Sequence, residues 1–108
     1  MEALKLKIIK CLSDFINEEI HDGNKYIKKA LAIREEYPEV AEVLNMLSSE
    51  EMKHMQMLHN QVVKLIENYR KEKGEPPAAM LAVYDYLHEK FIEDAKEVKM
   101  MQQMYMEK

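Results

Sequence analysis

Tryptophan is absent from these 108 residues, and glycine occurs twice, proline three times and cysteine once. A lone Cys11 cannot close an internal disulfide, and the N-terminus has no cationic start followed by an apolar core and a small-residue cleavage site. The cytoplasm is the expected compartment. No apolar run approaches the roughly 20 residues that cross a bilayer, and the mean hydropathy is -0.49, so no membrane partner is expected. Basic charge is not in excess either. Against 20 acidic residues stand 16 basic ones, interleaved along the chain with a net charge of -4, and no basic face is offered to nucleic acid.

What is present is helix-forming. Ala, Leu, Glu, Lys and Met dominate, side chains that lose little rotamer freedom in a helix. The expected fold is all-α, in one domain over residues 1–108. Pro38 and the Pro76, Pro77 pair punctuate it, and Gly74 suits a helix end. This predicts helices over about 2–36, 38–73 and 77–106, with joints short enough to make neighbours antiparallel.

The apolar stripe of the first helix reads Leu4, Ile8, Cys11, Phe15, Glu19, Asp22, Tyr26, Ala30, Ile33; that of the second reads Val40, Val43, Leu47, Glu51, His54, Leu58, Val62, Leu65, Tyr69. Both are interrupted by polar residues near the middle. The third, Met80, Val83, Leu87, Phe91, Asp94, Val98, Met101, Tyr105, is interrupted by one acid. Two local signals compete with continuous helices. Asp22, Gly23, Asn24 spells a turn, and Ser48 with Glu51 matches a capping box that would start a helix and give Glu51 a structural job. Because both stripes pass these points in phase, both helices are read as whole.

An acid in an apolar stripe is costly unless it is paired, protonated or bound to a cation. Glu51-x-x-His54 sets a carboxylate and an imidazole one turn apart on one helix face. On antiparallel helices Glu19 reaches the same height, all three lying roughly 18–24 Å from the joint. Carboxylate with imidazole suits Fe(II) or Mn(II), and Zn(II) accepts the same donors.

One Glu from one helix and Glu-x-x-His from the next resembles the ferritin-like superfamily, here as Glu19 in NEEIHDGNKY and Glu51 with His54 in SSEEMKHMQML. The likeness covers the first two helices and is nearest to encapsulated ferritin-like proteins and to one half of a rubrerythrin bundle. It implies a diiron site and ferroxidase activity, Fe(II) being oxidised by dioxygen or peroxide. It also implies a role for Tyr26, which follows Glu19 by two turns. These 108 residues show no C-terminal cargo peptide and no CxxC pair, so neither shell loading nor rubredoxin-type electron transfer is expected.

Stoichiometry points to a homodimer independently. One chain offers two carboxylates and one imidazole, and two chains offer the four and two that a diiron carboxylate site uses, in a four-helix bundle completed by dimerisation. Within one chain, Asp94 and Glu97 are better placed to complete the site than Asp85-x-x-His88, which falls about 15 Å away in height. Glu18 and Glu50 read as solvated neighbours, Asp22 and His21 as rim residues, with Asp22 able to orient His54 if it points inward. The ten methionines read as interface filler more readily than as Cu(I) ligands. The alternative to iron chemistry is a metal-free helical interaction module whose Glu51 and His54 form a buried polar pair that fixes register.

Overall fold

A computed structural model describes residues 2–107, with side chains from Leu6 onward, so Met1, the Leu4 side chain and Lys108 lie outside the description. Among the described residues all regular structure is helical: α1 spans Glu2–Ile33, α2 Pro38–Lys73 and α3 Ala78–Met106. No described helix is long and apolar enough to cross a membrane.

The helix ends follow from the punctuation residues. α1 stops at Ile33, short of the expected residue 36, because a residue before proline is driven out of the helical region, and Tyr37 sits at φ -131°, ψ 66°. The Ile33 carbonyl closes the last turn by accepting from Glu36 N at 3.1 Å and Tyr37 N at 2.7 Å. Pro38 then occupies the first turn of α2. Gly74, at φ 80°, ends α2 by donating its N–H to the Arg70 carbonyl at 3.0 Å. Pro77 caps α3, which begins one residue later than expected.

The three helices run up, down and up in a rod of 56 × 19 × 16 Å. α1 packs most extensively on α2, less on α3, and α2 meets α3 only sparsely. The parallel course of α1 and α3 is pinned at one end, where Arg34 Nη1 donates to the Met104 carbonyl at 3.2 Å.

The buried face of α1 is not the expected stripe. Ile9, Ile16, Ile20 and Ile27 form its core, together with Ala30, while Ile8, Cys11 and Phe15 are exposed. On α2 the core is built by Ala41, Met52, Val62 and Ile66, and Val40 and Val43 are exposed. On α3 Phe91 and Val98 are buried as expected, and Val83 is not. The reason is that α1 carries two apolar faces about 100° apart. α3 covers one of them. The stripe bearing Glu19, Glu51 and His54 is left with an uncovered apolar flank in Ile8, Phe15, Val40 and Val43.

Gly23 does not break α1. It is a point of close contact between α1 and α2: a Cβ added there would lie 3.3 Å from Met52 Sδ, 3.6 Å from the Ser48 carbonyl oxygen and 3.7 Å from Glu51 Cβ. Nor does Ser48 cap a helix. It lies fully buried inside an unbroken α2, where its hydroxyl donates to the Gly23 carbonyl at 2.7 Å and accepts from Gln102 Nε2 of α3 at 2.9 Å. One hydroxyl thus ties all three helices. Ser48→Ala removes both bonds and strands the Gln102 amide, an expected loss of about 1–2 kcal/mol. Thermal melting checks this as a fall of roughly 5–15 °C.

Candidate metal centre

The Gly23 crossing brings the three candidate ligands together. Glu19 lies one turn before Gly23 on α1, Glu51 lies one turn after Ser48 on α2, and with glycine at the crossing the two backbones approach closely enough for both carboxylates to meet. Glu19, Glu51 and His54 each offer a ligand atom, and these atoms all lie within 4.8 Å of one another. His54 Nδ1 is 3.5 Å from Glu19 Oε2 and 3.9 Å from Glu51 Oε2. Both carboxylates are mostly buried, whereas the imidazole is 53% exposed, so the cluster opens to the surface through His54.

The electrostatics are those of two acids without enough compensating charge. Glu19 Oε2 is buried and accepts no hydrogen bond. Glu51 has its pKa raised from 4.5 to about 7, first by side-chain hydrogen bonding with the Glu19 carboxyl, then by burial and by the charge on Glu19. His54 partly offsets this, and Asp22 adds to it. A divalent cation would neutralise both acids and satisfy the orphaned oxygen. Hard carboxylates with one imidazole fit Fe(II), Mn(II) or Zn(II), and three donors leave coordination positions open for a further ligand.

The other expected participants fall elsewhere. Asp22 is half-buried, and it acts on Glu51 through its charge. The ion-pair partners of His54 are Glu19 and Glu51. Tyr26 lines a shallow depression with Lys25, Lys29 and Leu44, about 10 Å along the axis from Glu19. Glu18 and Glu50 are exposed, as expected of solvated neighbours, and so is His21. Asp94 and Glu97 do not complete the site. They line a polar groove with Asn17, Ile20 and Asn24, on the flank of α1 that faces α3, because the turn from Glu19 to Ile20 rotates about 100° around the helix. His88 stacks between His59 and Tyr84, with ring centroids at 5.1 and 5.7 Å.

Ser48, Gln102 and the packing role of Gly23 escaped the sequence reading. The only available signal was a lone mid-helix glycine in phase with the ligand stripe. Compared with protein-family models, with curated proteins and with solved structures, the chain finds no match.

Proposed function

We propose that this chain is an iron-binding ferroxidase of ferritin-like type, in which two copies share one site and Fe(II) is the substrate. The observation that carries the reading is a buried Glu19 Oε2 that accepts no hydrogen bond, 3.5 Å from His54 Nδ1 and beside a Glu51 carboxyl held at a pKa of about 7. Two acids placed so closely are destabilising alone and stabilising around a cation. The uncovered apolar flank of the same stripe supports a second copy as the partner, since pairing there would bury Ile8, Phe15, Val40 and Val43 and bring four carboxylates and two imidazoles together.

Glu19, Glu51 and His54 hold the ions, with Mn(II) or Zn(II) as competitors. In the reaction two Fe(II) give up two electrons, and dioxygen with two protons becomes hydrogen peroxide. Carboxylates serve because hard anions hold both oxidation states. Tyr26 stands too far along α1 to be a ligand.

Glu51 also sets the pH dependence. Its proton must leave before a cation enters, so affinity for Fe(II) or Mn(II) is expected to rise up to about tenfold per pH unit below pH about 7 and to flatten above it. Calorimetry in buffers of different ionisation enthalpy will register the proton released.

A second reading is favoured by the same proton: a protonated Glu51 can donate to Glu19 and let the cluster satisfy itself as a metal-free interaction module. Aerobic oxidation separates the two. The chain is loaded with Fe(II) without oxygen, air is admitted, and ferric absorbance is followed. Absorbance that grows in the wild type and is lost in Glu51→Ala and His54→Ala supports the ferroxidase; growth at the same rate in all three sinks it.

A further inference from the structure

A second site lies about 100° around α2 from the proposed metal ligands and goes beyond the ferroxidase reading. Where α2 and α3 diverge, a cavity of about 380 Å³ opens between them, with Ile16 of α1 among its walls. That is within the range of roughly 300–1,000 Å³ usual for small-molecule sites. Met52, Met55 and Phe91 make its apolar wall, and Ala95 presents only a methyl group where a larger side chain would close the gap. The methionines can adapt to an occupant because their unbranched thioether chains repack at little cost.

The polar rim is one-sided. On a chain with 20 acidic residues no carboxylate among the described residues lines this cavity, while Lys96 and Lys99, one turn apart on α3, both do. The other polar lining comes from Gln56 and from the stacked His59 and His88 rings. His59 is less basic than usual because of its burial and the nearby His88, so the fixed positive charge here is that of the two lysines.

We propose that the cavity binds an amphiphilic carboxylate, with its apolar chain along Met52, Met55 and Phe91 and its acid head against Lys96 and Lys99. Apolar burial holds the tail, and charge-assisted hydrogen bonds to lysine select the head.

The test titrates the purified full chain calorimetrically with decanoate and, separately, with decyltrimethylammonium, both below their micelle concentrations. The expected result is saturable binding of about one decanoate per chain, with the cation at least about tenfold weaker. Ala95→Phe, which fills the cavity, should abolish decanoate binding. Lys96→Glu combined with Lys99→Glu changes exposed positions only and should weaken decanoate by about tenfold or more. The proposal is overturned if decanoate does not saturate, if both head groups bind alike, or if the lysine double variant binds decanoate as well as the wild type. A folded Ala95→Phe variant with wild-type affinity would overturn it too.

Discussion

Glu51→Gln is expected to make the metal-free chain more stable at pH 8 while lowering its affinity for Fe(II) by about a hundredfold or more. Below its pKa of about 7 the folded chain keeps the Glu51 proton, whereas the unfolded chain releases it near pH 4.5. Between these values the folded state binds more protons, so stability falls as pH rises through the window. Glutamine resembles the protonated acid in shape and can donate to Glu19, which relieves the repulsion. The gain above pH 7 is on the order of 1–3 kcal/mol, it vanishes near pH 4.5, and melting curves at both pH values will read it. A residue whose removal stabilises the fold and ends metal binding is held in place by the metal. Unchanged stability at pH 8 would mean that the two carboxyls do not repel as the geometry requires.

The second large effect belongs to Gly23. Leucine at this position would place its branch among Met52, Ser48 and Glu51 and push α1 away from α2. Overpacking costs about 1–3 kcal/mol, only partly offset by the roughly 1 kcal/mol that a helix gains on losing an interior glycine. The expected net result is a melting temperature lower by up to about 15 °C and loss of metal binding, because Glu19 and Glu51 no longer share one position. Gly23→Ala differs in kind. Its only tight contact, 3.3 Å, is with the Met52 sulfur near the end of a flexible side chain, so this variant should match or exceed the wild type in stability and keep the metal. Equal behaviour of the two variants would remove Gly23 from the account.

The clustering of Glu19, Glu51 and His54 was legible in the sequence because three facts needed no tertiary information: Glu51-x-x-His54 spacing, short joints that make α1 and α2 antiparallel, and the matching height of Glu19. The buried face of α1 was not. Ile8 and Phe15 repeat at helical spacing, as do Ile9, Ile16, Ile20 and Ile27, and periodicity cannot say which face a third helix will cover. The same ambiguity bears on Asp94 and Glu97, which reach the expected height and line the flank of α1 that faces α3. Gly23 read as a possible break because propensity is local, whereas its function is a contact with a helix 25 residues away at Ser48. Gln102 left no trace, since nothing in a single sequence links it to a serine 54 positions earlier. The exposed flank at Phe15, Val40 and Val43 was read as core, and it is the surface on which the proposed pairing depends.

That dependence suggests the most direct measurement. Crystals grown anaerobically with Fe(II) and measured on both sides of the iron absorption edge will locate iron by its anomalous signal. The expected result is anomalous peaks bounded by Glu19, Glu51 and His54 from two copies related by a twofold axis, about one iron per chain. Iron absent from these residues would contradict the metal centre, and iron held there by a single chain would contradict the shared site.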